Sequence, residues 1–260
     1  MKVPFYQVDA FTGTRFAGNP AAVCLLTDWP ADGLLQAVAR ENNLSETAFL
    51  VPDGDDFRLR WFTPAVEVDL CGHATLASAF VVLNAIRPGV GQVRFHTLSG
   101  VLTVERRGDW LSMDFPARIP RSCAAPAELE RAFPGVRIEV LAADDYLVVL
   151  SDQAAVLNAD PDHRLLQRLD RRAVCITAPG RDCDFVSRFF APKCGIDEDP
   201  VTGSAHCMLT PYWARRLGRS TLVARQLSAR GGEVRCEDRG ERVTLSGRAV
   251  QVIEGTLCLD

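Results

Sequence analysis

Asp56-Phe57-Arg58-Leu59-Arg60-Trp61-Phe62-Thr63-Pro64 returns later in the chain as Asp184-Phe185-Val186-Ser187-Arg188-Phe189-Phe190-Ala191-Pro192, displaced by 184 − 56 = 128 positions. Downstream, Gly100-Val101-Leu102-Thr103-Val104-Glu105-Arg106-Arg107-Gly108 aligns ungapped with Gly232-Glu233-Val234-Arg235-Cys236-Glu237-Asp238-Arg239-Gly240, a displacement of 232 − 100 = 132. Leu34-Leu35-Gln36 is echoed by Leu165-Leu166-Gln167. A repeat this long is too large for a solenoid unit and points to two similar half-proteins. Two-lobed chains commonly work in the crevice between lobes. Functional residues are therefore sought where the halves share loops, and above all where the copies differ.

The bulk properties narrow the classes. At 260 residues the duplication favours two domains over one. Hydrophobic residues at 47% and charged residues at 24% describe an ordinary globular chain. With a net charge of −4 and no basic stripe, nothing invites nucleic acid, and the pairs Arg171-Arg172 and Arg215-Arg216 read as solvated helix faces. The first nine residues lack the apolar core of a signal peptide. No apolar run is long enough for a bilayer, so a cytoplasmic enzyme without membrane contact is expected. The nine cysteines are scattered with no CxxC pair, which argues against structural zinc and for buried thiols.

Residue patterns predict strands at 4–8, 21–26, 47–51, 57–62, 91–96, 100–106 and 110–115, and helices at 32–42 and 73–86. Three prolines within 116–126 mark a linker. The second half follows the same course, with a helix fragment at 164–169, strands at 173–178 and 185–190, and an apolar helix at 204–217 stopped by Gly218. Strands at 221–227, 233–237, 243–247 and 249–253 complete it. The lobes are placed at 1–117 and 127–260, joined by 118–126, with the C-terminal strand free to cross back. The class is α+β. The two helices at 73–86 and 204–217 are apolar on nearly all sides, and a sheet curved around each would bury them.

Matching loops lead into these helices: Glu67-Val68-Asp69-Leu70-Cys71-Gly72-His73-Ala74-Thr75 and Glu198-Asp199-Pro200-Val201-Thr202-Gly203-Ser204-Ala205-His206. A glycine at a helix start lets a ligand approach N–H groups that lack intrahelical partners. Such an end favours an anion, and two of them related by pseudo-symmetry would suit a carboxylate. Plain capping by Ser204 and Thr202 is the competing explanation.

Glu46 breaks the symmetry. At the 128 displacement it stands opposite Val174. A carboxyl group at the edge of a buried strand is expected to have its pKa raised by desolvation, which suits proton transfer near neutrality; a helix-cap or surface role is the alternative. His73 heads one helix and Asp199 precedes the other, both with exchangeable protons or lone pairs. A two-thiol racemase would need a cysteine beside each glycine, but Cys71 is matched by Thr202. His73, His206, Cys71 and Cys207 lack a usual local metal-ligand spacing. No GxGxxG, P-loop or GxSxG is present.

The motifs Gly18-Asn19-Pro20-Ala21-Ala22-Val23, Ser45-Glu46-Thr47-Ala48-Phe49, Cys71-Gly72-His73-Ala74-Thr75 and Asp199-Pro200-Val201-Thr202-Gly203-Ser204-Ala205, in this order, resemble the PhzF family of phenazine-biosynthesis-like isomerases. The resemblance implies the diaminopimelate-epimerase fold: two pseudo-symmetric lobes, each a sheet rolled around a central helix. It implies a homodimer and a cofactor-independent isomerase without metal. That enzyme would act on a small carboxylate substrate, as in isomerisation of trans-2,3-dihydro-3-hydroxyanthranilate. Carried over by motif, Glu46, His73 and Asp199 are catalytic, and Asn19, Gly72, Gly203 and Ser204 bind substrate. A racemase or epimerase on the same fold, or a binding protein that retains it, are the alternatives.

Overall fold

The structure of the protein, a computed structural model, describes residues 1–134 and 139–259. Two compact units emerge: residues 1–114 with 246–260, and residues 115–245. The C-terminal strand Ala249–Cys258 thus belongs to the first unit, not to a lobe running from 127 to the end. It pairs antiparallel along the whole strand Lys2–Ala10, whose other edge pairs with Asn19–Leu25. Without it the opening strand would present an unpaired edge. The expected linker is also structured: Arg121–Ser122 pairs with Glu139–Ala142 in the second unit.

In the first unit, Asn19–Leu25 runs parallel to Glu46–Asp53, which pairs antiparallel with Asp56–Phe62. Asp56–Phe62 in turn takes Glu67–Val68 antiparallel and Gln92–Thr97 parallel. The strand Glu46–Asp53 is buried over residues 47–51 because helices cover both faces. Phe49 and Val51 pack with Leu35, Val38 and Ala39 of the helix Asp32–Asn42. The helix Gly72–Val81, buried at eight of its residues, lies against the same sheet from within the unit. A helix apolar all round needs such enclosure.

That helix does not run regularly to residue 86 as expected. Val82–Ile86 forms a π turn, closed by Arg87 N–H donating to the Val82 carbonyl at 2.7 Å. The Asn84 side-chain amide donates to the Phe80 carbonyl at 2.7 Å and competes there for the acceptor of a regular turn.

The second unit repeats the pairing. Glu139–Ala142 is antiparallel to Tyr146–Val149, which is parallel to Val174–Pro179, which is antiparallel to Phe185–Ala191. Phe185–Ala191 then takes Ile196–Asp199 antiparallel and Thr221–Gln226 parallel. Its helix Gly203–Leu217 ends on Gly218 at φ 68°, a left-handed cap that favours glycine. Pro211 lies inside this helix and cannot donate to the Cys207 carbonyl. Arg118 N–H fills that vacancy at 2.9 Å.

Candidate active site

Glu46 and Asn19 open two neighbouring parallel strands, so they stand at the same end of the first unit's sheet. The turn before Asn19 depends on Gly18, at φ 66°, where a side chain would collide with the Ala10 carbonyl. His73 follows Gly72 at the start of the enclosed helix. Its Nε2 lies 3.1 Å from Glu46 Oε2, with side-chain exposures of 7% and 18%. Asn19 Nδ2 is 3.3 Å from His73 Nδ1, and Cys71 Sγ is 3.5 Å from the same nitrogen. The Ser45 hydroxyl donates to Asn19 Oδ1 at 3.4 Å, which leaves the amide nitrogen facing the ring. Amide and thiol are both donors, so in the neutral ring Nδ1 accepts and Nε2 carries the proton toward Glu46.

The contact of Nε2 with Oε2 is an ion pair by distance rather than an aligned hydrogen bond. Both atoms are buried and neither has a hydrogen-bond partner of good direction. Burial works against the Glu46 carboxylate, but the attraction of His73 and contact with Cys71 outweigh it and hold its pKa below the ordinary value. This reverses the expectation of a raised pKa: the sequence showed the burial of the strand but not the imidazole against it. For His73, burial works against the cation, but contact with Cys71 and the charge of the Glu46 carboxylate outweigh it, setting the pKa well above the usual value. Cys71 is pushed up to about 11, by burial first and then by Glu46. Glu46, Cys71 and His73 each offer one donor atom within 4.8 Å of the others.

In the second unit Asp199 ends its strand and is buried. The Thr202 hydroxyl donates to Asp199 Oδ2 at 2.5 Å. Gln226 braces this loop, accepting from Thr202 N–H at 2.9 Å and donating to the Asp199 carbonyl at 2.7 Å. Ser204 is exposed, and its Oγ accepts from Arg172 Nη2 at 3.3 Å. Neither helix start is capped by the side chain at its N-cap, Cys71 or Thr202, so the plain-capping explanation is not the one realised. Neither Gly72 nor Gly203 has a positive φ. An unusual backbone is therefore not what these positions require of glycine.

Sequence reasoning missed Arg172, Asp145 and Gln226. Arg172 does not sit on a solvated helix face. It precedes the strand Val174–Pro179 and grips buried Asp145 through Nε and Nη2, at 3.0 and 2.8 Å. The available signal was its position directly before an apolar stretch, where a guanidinium must turn away or find an acid. The hydrogen-bonded register also corrects the repeat mate of Glu46. Leu26 N–H donates to the Leu50 carbonyl and Leu150 N–H to the Thr177 carbonyl, so the displacement here is 177 − 50 = 127. Glu46 thus corresponds to Ala173, not Val174, because the hairpin turn after the second strand is longer.

The sequence profile described as phenazine biosynthesis-like protein matches residues 8–255. The chain belongs to this family. An uncharacterized isomerase of Pseudomonas aeruginosa is 53% identical over 259 residues, covering 100% of both chains. A solved structure of a phenazine biosynthesis protein of the PhzF family from Enterococcus faecalis superposes with a TM-score of 0.96 at 45% identity, covering 100% of both chains. A hydroxyproline epimerase from Agrobacterium vitis shares the fold alone, with a TM-score of 0.62 at 12% identity over 100% of this chain and 92% of that one. The fold is thus that of the phenazine biosynthesis-like family and its epimerase relatives, as the sequence resemblance implies. Membership and the named relatives support an isomerase activity in general terms. Among the described residues no helix is long and apolar enough to cross a membrane.

Proposed function

We propose that the protein moves a proton between carbons of a small carboxylate substrate, with Glu46 as the acid–base group and no cofactor. The observation that carries this reading is the buried contact of Glu46 with His73 at 3.1 Å. The lowered pKa of Glu46 makes it an anionic base in the resting enzyme. It takes a proton from a C–H beside a double bond. The electron pair of that bond forms a new double bond, and the old one's pair accepts the proton back from Glu46 at its far carbon. Nothing is gained or lost overall. His73 stabilises the carboxylate and orients the substrate. The helix-start amides at Gly72 receive the substrate carboxylate, an anion at a helix start. Asp199, Gly203, Ser204 and Asn19 are assigned to the remaining contacts, as the family resemblance implies. Cys71, a thiol at neutral pH, suits a proton donor rather than the thiolate base of a racemase.

The test is turnover of trans-2,3-dihydro-3-hydroxyanthranilate and a panel of small unsaturated carboxylates in D2O. Isomerisation with solvent deuterium at the new C–H position supports the reading. Glu46→Gln should lose about 10²–10⁴-fold, the usual contribution of one positioned acid–base group. An unchanged rate in that variant removes Glu46 from the mechanism. Deuterium at a stereocentre without bond migration, lost in Cys71→Ser, would favour a racemase instead.

A further inference from the structure

We propose that Glu46, Cys71 and His73 form a binding site for one Zn²⁺ ion, whose presence takes the base out of the reaction. The donor set is a thiolate, an imidazole nitrogen and a carboxylate oxygen, a combination that selects zinc over the hard cations Mg²⁺ and Ca²⁺. With bonds of about 2.0 Å to N and O and about 2.3 Å to S, the donors of a tetrahedral site stand about 3.3–3.5 Å apart. Here Cys71 Sγ is 3.5 Å from a ring nitrogen of His73, and Glu46 Oε2 is 3.1 Å from the other. One donor atom from each residue lies within 4.8 Å of the rest, so a turn of the imidazole and small side-chain shifts close the triangle.

A second observation points the same way. Glu46 Oε2 and His73 Nε2 are buried without a hydrogen-bond partner, although they face one another. Because their contact lies off the hydrogen-bond axis, Glu46 Oε2 keeps a lone pair for a third body, and the ring nitrogen becomes a ligand as its proton passes to solvent on binding. Cys71 supplies the third donor from the residue before the helix start, and its thiol proton passes to solvent as the ion binds. A fourth position stays open for water. The ion and a substrate proton then compete for the same carboxylate oxygen. The inhibition rests on the proposed function; the binding does not.

The experiment uses the chelator-treated full chain, titrated with Zn²⁺ against a chromophoric chelator and with Co²⁺ as an optical probe. Binding of one ion per chain is expected, with a thiolate-to-cobalt charge-transfer absorption. That absorption should vanish in Cys71→Ser, and Zn²⁺ affinity should fall by at least about 100-fold in Cys71→Ser and in Glu46→Gln. It should survive when the exposed Cys123, Cys194 and Cys258 are all replaced by serine. Absence of the absorption, or its persistence in Cys71→Ser, overturns the site. Should Cys71→Ser fail to fold, loss of the absorption in Cys71→Ala and of affinity in Glu46→Gln supports the site, and retention of both overturns it. Isomerase activity of the metal-free protein is scored separately, so a failed zinc site and a failed mechanism remain distinguishable.

Discussion

The two glycine-led helix starts have the same frame and different contents. In the first unit Arg60 forks onto Glu67, at 2.6 and 2.7 Å; in the second Arg188 forks onto Glu198, at 2.7 and 2.9 Å. Each guanidinium covers a phenylalanine, Arg60 over Phe62 at 5.1 Å and Arg188 over Phe190 at 4.9 Å. Each glutamate precedes its glycine by the same interval, 72 − 67 = 5 and 203 − 198 = 5. At the next matched position, Thr75 Oγ1 donates to the Cys71 carbonyl and His206 Nδ1 to the Thr202 carbonyl. What differs is the chemistry: a buried acid–imidazole–thiol cluster in one unit, and an exposed serine held by an arginine in the other. The duplication kept the parts that aim the loops and let the groups they carry diverge.

The sharpest way to break this comparison is to remove a group from each side. Glu46→Gln should cost about 10²–10⁴-fold in turnover. Ser204→Ala should cost only about tenfold, the worth of one hydrogen bond. Steady-state kinetics on one substrate reads both, and equal losses would erase the asymmetry between the units.

The shared frame is tested through stability. Arg60→Ala and Arg188→Ala should each cost about 3 kcal/mol, because a partly buried glutamate loses its fork. Arg188 also holds the carbonyls of Val156, Leu157 and Ala159, so its loss should be the larger. Urea unfolding measures both, and restoring part of the loss with Glu198→Ala in the Arg188→Ala background would confirm the pairing.

A pH effect should single out the second unit. Burial pushes His206 down to about 4, while the matched Thr75 does not titrate. The unfolded chain therefore binds a proton near pH 6.5 that the folded chain refuses until about pH 4. Stability falls as pH drops through this window, by about 3 kcal/mol in all. His206→Thr, which copies the first unit, should flatten the dependence of the urea midpoint between pH 6.5 and 4, whatever its effect at neutral pH. An unaltered slope would place the acid sensitivity elsewhere.

The smallest effect is at the helix ends. Gly218→Ala should cost about 1 kcal/mol, because φ there is 68° and alanine resists it. Val82–Ile86 ends the other helix as a π turn without a glycine, so no matching glycine sensitivity exists there.

Much of the frame was legible in the chain. Arg60 and Arg188 stand in the repeated segment, and the two glycine loops share their spacing. The candidate residues Asn19, Glu46, Gly72 and His73 fall in one unit, and Asp199, Gly203 and Ser204 in the other. The pKa of Glu46 was not legible, since its sign turned on His73, 73 − 46 = 27 residues away. Arg172 was misplaced for the same kind of reason: Asp145, which fixes it, is 172 − 145 = 27 residues distant.

The sequence alone determined the duplication, the two apolar helices and the loops that lead into them, because repeats and hydrophobic patterns are properties of neighbours along a chain. Only the tertiary structure decided the ionic state of Glu46, the contacts of Arg172 and the return of the last strand to the first unit. Charge energies and sheet ladders depend on distances between residues remote in sequence, and folding sets those distances.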